Sequence, residues 1–192
     1  MEHYHTFDFV EGTILCPAAP EIKAFFSPND QYFQYYEPSA ASILLAFAQL
    51  SQYIVEEGPF DGVIAFSQGA ALVSAYLIQI SNKQKFRPKP FRCAIFLSGA
   101  RPYDPQALAE GRVEFFEPKG TQSTIVLPTT HIWGSRDASF REQSEALSAL
   151  CDEGQREVYI HGQGHEIPGS RAHDDLQGCV RAIRRTIEKA TN

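Results

Sequence analysis

The chain has 192 residues, enough for one domain with a sizeable core, and its 43% hydrophobic and 21% charged residues are ordinary for a soluble globular protein. A net charge of −6 and a pI near 5.5 argue against nucleic acid as a general partner. Cys16, Cys93, Cys151 and Cys179 lie far apart with no C-x-x-C pair, and neither a secretory h-region nor a long apolar span occurs, so they read as free thiols of a cytoplasmic protein with no membrane segment.

In chain order, Phe7 to Val10 reads as a short strand closed by Gly12. Residues 13–38 then form a long irregular stretch, broken by Pro17, Pro20 and Pro28 and rich in Phe25, Phe26, Tyr32, Phe33, Tyr35 and Tyr36. So many aromatics argue against disorder. They read equally well as a lid or wall of a substrate pocket and as a satellite core under a folded-back loop. Ser39 is placed to cap a helix whose Ile43, Phe47, Leu50 and Ile54 share one face, and Gly58-Pro59 stop it.

Gly62 to Phe66 is a short apolar run of the kind that forms a buried parallel strand. Ser67-Gln68-Gly69 is a tight bend, and the helix from Ala70 presents Ala70, Ala71, Ser74 and Ala75, small enough to lie close on a sheet. Lys83, Lys85, Arg87, Lys89 and Arg92 crowd one loop, either as solvated surface or as a dock for an acidic partner. Phe91 to Ser98 is a second buried strand, and Pro102 to Glu117 is irregular apart from a short helix near Gln106 to Glu110. Thr129 to Trp133 is a strand that enters the turn Gly134-Ser135-Arg136-Asp137. Ser139 and Glu142 have the spacing of a capping box for a helix to about Leu150. Glu157 to Ile160 is the last strand and Gly162 to Gly169 the last loop. The closing helix starts near Arg171 with Leu176, Val180, Ile183 and Ile187 inward. Strands alternating with amphipathic helices predict a single α/β domain over residues 1–192, three layers around a mainly parallel sheet.

A serine on a sharp strand-to-helix turn, with small residues two before it (Ala65) and two after it (Gly69), is the pattern of a nucleophile elbow. The new helix aims its free N–H groups at that serine, so the Gln68 amide can donate to a developing oxyanion. Ser67, Asp137 and His165 each stand just past a strand end, where ligands gather in such sheets, and their order is that of an α/β-hydrolase. A serine hydroxyl is a poor nucleophile at neutral pH, so His165 would take its proton while Asp137 fixes the imidazole tautomer. Each residue has a plainer reading. Asp137 could simply cap the following helix, His165 could be a surface loop residue, and His161 and His165 could join Glu166 or His173 around a metal. Asp174 and Asp175 follow the histidine and so are in the wrong order for the acid.

The strings HTFDFVEGTILCPAAP, SPNDQYFQYYEPSAASI, EEGPFDGVIAFSQGAAL, HIWGSRDASF and HGQGHEIP resemble the fungal branch of the serine hydrolase family, small α/β-hydrolases often found beside polyketide biosynthesis. The resemblance covers nearly the whole chain. It implies Ser67 as nucleophile, Asp137 as acid, His165 as base and the Gln68 amide as oxyanion donor. It further implies an esterase or thioesterase acting on a hydrophobic, polyketide-like acyl group, free or carrier-bound, without metal or organic cofactor. The aromatics Phe25, Phe26, Tyr32, Phe33, Tyr35 and Tyr36 are the candidate substrate contacts.

Two departures from the family pattern carry expectations. Ala65 stands where glycine is usual, and its methyl should crowd the elbow. Family members begin with an apolar strand and a His-Gly loop that supplies a second oxyanion N–H, whereas this chain starts almost at Phe7. The expected consequences are a sheet without its usual first strand, and either a Phe7–Val10 strand moved beside the elbow strand or a homodimer that covers the open edge. Loss of one oxyanion donor lowers kcat by about 10²–10³. That keeps two further readings open, a non-hydrolytic cyclisation, elimination or isomerisation with His165 as base, and a non-catalytic binding protein.

Overall fold

The structure is a computed structural model that describes residues 5–19, 27, 29–83, 89–118, 120 and 123–191. Pro20, Phe25, Phe26, Pro28, Lys85 and Arg87, all singled out above, lie outside the described residues. Eleven elements are described: β1 (Ile14–Cys16), β2 (Tyr32–Gln34), α1 (Ala40–Glu57), β3 (Gly62–Phe66), α2 (Gln68–Lys83), β4 (Cys93–Leu97), α3 (Pro105–Ala109), β5 (Thr129–Gly134), α4 (Arg141–Ala149), β6 (Arg156–His161) and α5 (His173–Thr191).

The main sheet has the order β3-β4-β5-β6, and every pairing in it is parallel. Alternate residues of β4 serve opposite faces, as strand geometry requires. Ala94 and Phe96 pack with Ala65 of β3, Val73 and Leu77 of α2 and Leu147 of α4. Cys93, Ile95 and Leu97 pack with Ile132 of β5 and Cys179 of α5, with Tyr159 and Ile183 at the border. All five residues of β4 are therefore buried, which is why this stretch shows no polar alternation. An outer cluster of Tyr36, Ile43, Phe47, Leu72 and Leu108 binds α1 and α3 to the back of α2. On the α5 face, Ile64 and Phe66 of β3 remain 50% and 39% exposed.

Several expected boundaries move. The chain from Phe7 to Val10 is not a strand and does not pair with β3. The Val10 carbonyl instead accepts the Tyr35 hydroxyl, and pairing begins only at Ile14, whose partner is Gln34 in the antiparallel β1–β2 ribbon. Gly12 lies so close to β2 that a Cβ there would meet the Gln34 carbonyl carbon at 2.4 Å. Phe7 and Phe9 stay 62% and 93% exposed, so the apolar residues of this stretch bury no face, and strand propensity is realised only where side chains pack. Ser39 does cap α1, its hydroxyl accepting the Ser42 N–H. The proposed Ser139–Glu142 box does not form. The N-cap position of α4 is Phe140, and the Phe140 N–H is taken by Asp137 Oδ1 at 3.0 Å. The short helix after β4 is α3, one residue earlier than expected, because Asp104 caps it through the N–H groups of Gln106 and Ala107.

Candidate active site

Ser67 bridges β3 and α2 with φ of 50°, a left-handed backbone that non-glycine residues rarely adopt. The conformation is held from both sides. The Ser67 N–H donates to the Leu97 carbonyl, and the Ser67 carbonyl accepts from Ala70 and from Ala100, just beyond β4. α2 begins at Gln68, so the Gln68 N–H heads a helix whose own geometry offers it no acceptor. The methyl of Ala65 lies in the core with Ala70 and Ala94.

The next two strand ends bring the partners. Asp137 follows β5, is 2% exposed, and places Oδ2 at 2.6 Å from His165 Nδ1. His165, in the loop after β6, places Nε2 at 3.0 Å from Ser67 Oγ. With a carboxylate against Nδ1, that nitrogen carries the proton, and Nε2 is left to accept the serine hydroxyl. The three residues picked from the sequence thus form one hydrogen-bonded chain. The imidazole is also flanked by Phe140, with ring centroids 4.3 Å apart, and by Phe66 at 5.0 Å. Apolar rings beside it lower the local dielectric and strengthen the bonds to Asp137 and Ser67.

Asp137 resolves its two sequence readings by satisfying both. Oδ1 accepts the Phe140 N–H at the start of α4 while Oδ2 faces His165. Asp175, in the wrong place in the chain for the acid, supports the His165 loop from α5. Its carboxylate accepts the Tyr159 hydroxyl at 3.0 Å and the Gly162 N–H at 3.3 Å, and these two bonds hold it below the usual carboxylate range. His161 is 1% exposed and its Nδ1 accepts the Gln163 N–H at 3.2 Å, so it shapes the same loop. Burial pushes its imidazole below the ordinary value, against the opposing pull of Asp175, Glu166 and Asp137. Among the described residues, no group of three or more His, Cys, Asp or Glu side chains is arranged to hold a metal ion.

The aromatic stretch meets the elbow through Gln68. Its carboxamide oxygen accepts the Tyr35 N–H at 2.9 Å and its amide donates to the Tyr36 carbonyl at 3.0 Å. Tyr36 is buried against Tyr103 in the outer cluster, a core role, and burial with Tyr103 beside it pushes its hydroxyl upward. Tyr35 packs over Gly69, where a Cβ would lie 3.4 Å from its ring. Tyr32 donates to the Ser27 carbonyl, and Phe33 is 39% exposed. Sequence reasoning missed Phe66, Phe140 and the Gln68 side chain. The only signals were that Phe66 precedes Ser67 and Phe140 stands three residues beyond Asp137.

Residues 1–176 match the family described as serine hydrolase (FSH1). The chain is 37% identical over 187 residues to Esterase FPY3 of Fusarium mangiferae, an alignment that covers 97% of this chain and 84% of that protein. It is 31% identical over 167 residues to Hydrolase phiM of Fungal sp. (strain ATCC 74256), covering 84% and 71%. Among solved structures, esterase PE8 superposes with a TM-score of 0.53 at 19% identity, over 92% of this chain and 76% of that one. The carboxylesterase from Mesorhizobium loti gives 0.52 at 20% identity, over 78% and 69%. The likeness to these two is one of fold, that of the α/β-hydrolases. No helix among the described residues is long and apolar enough to cross a membrane.

Proposed function

The chain belongs to the serine hydrolase (FSH1) family and is an enzyme acting on esters, and we propose that Ser67, His165 and Asp137 carry out that reaction. The observation that carries the proposal is the unbroken chain of contacts, Asp137 Oδ2 to His165 Nδ1 and His165 Nε2 to Ser67 Oγ. His165 takes the Ser67 proton as the hydroxyl attacks the substrate carbonyl, and Asp137 stabilises the imidazolium that forms. The Gln68 N–H donates to the oxyanion at the head of α2. The imidazolium then protonates the leaving group, an acyl-Ser67 remains, and water activated by His165 releases the acid.

The substrate we propose is an ester or thioester of a hydrophobic acid, polyketide-like and free or carrier-bound. The support is the family resemblance together with Phe66, Phe140 and Phe33, which offer apolar surface around the elbow or on the adjoining ribbon. We place the reaction in the cytoplasm, in keeping with four cysteines that form no disulfide. The test is acyl transfer to the intact protein from short thioesters, read by mass, with fluorophosphonate labelling in parallel. Both should occur in the wild type and vanish in Ser67→Ala. If Ser67→Ala keeps full activity while His165→Ala loses it, the hydrolytic reading fails and a non-hydrolytic role for the base replaces it.

A further inference from the structure

The loop that carries His165 has glycine at 162, 164 and 169, so its own backbone does little to fix where the imidazole sits. Beside the Asp175 bond to the Gly162 N–H, what fixes it comes from the neighbouring turn. The Arg136 N–H donates to the Gln163 carbonyl at 3.0 Å. The Arg136 side chain adds two more bonds, Nε to the Gly162 carbonyl at 2.5 Å and Nη2 to Gln163 Oε1 at 3.2 Å. Gln163 is held a further time by its own N–H on His161 Nδ1. Gly134, two residues before Arg136, lets the turns touch, since a Cβ there would come within 2.2 Å of the Gln163 carbonyl oxygen and 2.3 Å of that of Gly164.

Arg136 is exposed and, among the described residues, pairs with no carboxylate in an ion pair. Its guanidinium instead grips two acceptors on the other loop, a use suited to the rigid planar fork of arginine and not to the point charge of lysine. Because Arg136 adjoins Asp137, the same turn sets both the carboxylate that meets His165 Nδ1 and the clamp on the backbone leading to His165. We propose that Arg136 is a positioning residue of the reaction, clasping the base loop to the acid turn so that the imidazole stays in line between carboxylate and hydroxyl.

This inference rests on the proposed roles of Ser67, Asp137 and His165, and the experiment separates the two. Wild type, Arg136→Ala, Arg136→Lys, Gln163→Ala and Ser67→Ala are assayed with a short p-nitrophenyl ester for kcat and KM, with melting temperature recorded for each. A misplacement near 1 Å can lower the rate by about 10²-fold, so Arg136→Ala should lose about 10-fold or more in kcat with KM held within about twofold. A surface arginine with a merely structural role would move the melting temperature and leave kcat of the folded fraction alone. Arg136→Lys should recover part of the loss. Gln163→Ala, which removes the Nη2 contact and the Gln163 side chain's bond to Asp175 but leaves both bonds from Arg136 to backbone carbonyls, should show a smaller fall in kcat than Arg136→Ala. If Arg136→Ala is recovered unfolded, Gln163→Ala decides, and an unchanged kcat there overturns the proposal. A folded Arg136→Ala with wild-type kcat, beside an inactive Ser67→Ala, overturns the clasp alone. A fully active Ser67→Ala overturns the reading of the site and the clasp with it.

Discussion

Asp137 spends its two carboxylate oxygens on different tasks, Oδ2 on the His165 imidazole and Oδ1 on the Phe140 N–H that opens α4. The tasks can be separated. In Asp137→Asn the oxygen can still accept the Phe140 N–H, but the amide presents N–H to His165 Nδ1 and drives the imidazole proton to Nε2, where it blocks proton abstraction from Ser67. Expected is a loss of about 10⁴-fold in kcat with little change in stability. Asp137→Ala should lose the activity and, in addition, about 0.5–1.5 kcal/mol from the missing bond to α4. Urea unfolding of the two variants beside their kinetics checks this, and equal destabilisation of both would refute the division of labour. Ser67, Asp137 and His165 are legible in the sequence because each falls just past an apolar run and the order follows from the fold. Phe140 and Phe66 are not, because their ring contacts with His165 exist only once three strand ends converge. The Gln68 carboxamide is hidden for the same reason, since Tyr35 and Tyr36 come more than thirty residues before it in the chain.

At the scale of elements, the seam between β6 and α5 carries the His165 loop. Tyr159 of β6 packs on Gly178 of α5 so tightly that a Cβ at 178 would lie 2.1 Å from the ring. The same Tyr159 hydroxyl donates to Asp175, whose other oxygen accepts the Gly162 N–H. Gly178→Ala must therefore displace the ring, and with it the tie from α5 to the loop. Overpacking of this kind destabilises by about 1–3 kcal/mol. The melting temperature should fall, and kcat should fall too because His165 stands three residues beyond Gly162. A variant as stable as wild type would show that the ring yields freely. The helix periodicity that predicted α5 brings Ile183 and Ile187 to the border of the core, but the buried residues of the helix are Gly178, Cys179, Ala182 and Thr186. The pattern missed this contact because a glycine has no hydropathy to add to it. The misplaced strand at Phe7–Val10 and the missing Ser139 cap are complementary failures. Local pattern favoured each, and a distant donor (the Tyr35 hydroxyl, on the Val10 carbonyl) or a nearer acceptor (Asp137 Oδ1, on the Phe140 N–H) took the backbone group instead.

For the whole molecule, the buried histidines tie stability to pH. His131 lies on the α2–α4 side of the sheet beside Phe96, is 1% exposed, and bonds to Thr129 Oγ1. Burial, and then the charge of Arg156, push its imidazole from the ordinary 6.5 down to about 3. A base depressed in the folded state binds fewer protons there than in the unfolded chain at any pH between the two values. Stability is therefore full above about pH 6.5 and is lost as pH falls toward 3, at up to about 1.4 kcal/mol per unit. His161 is depressed in the same direction and adds to the slope. Glu157 and Asp175 act in a lower window. Burial raises Glu157, but Lys189 and Arg185 outweigh it, and both carboxyls end below their ordinary values of 4.5 and 3.8. Their contribution is intact until pH falls toward those values, so the interval from about 6.5 to 5 isolates the histidines. Over that interval the wild-type unfolding free energy should decline steadily, and His131→Gln, which keeps a polar group near Thr129 but cannot titrate, should decline less steeply even if its starting stability is lower. Denaturant melts at half-unit steps of pH measure both slopes. Parallel slopes would mean that His131 becomes protonated without unfolding the sheet, and that the strands beside it yield enough for water to reach the ring.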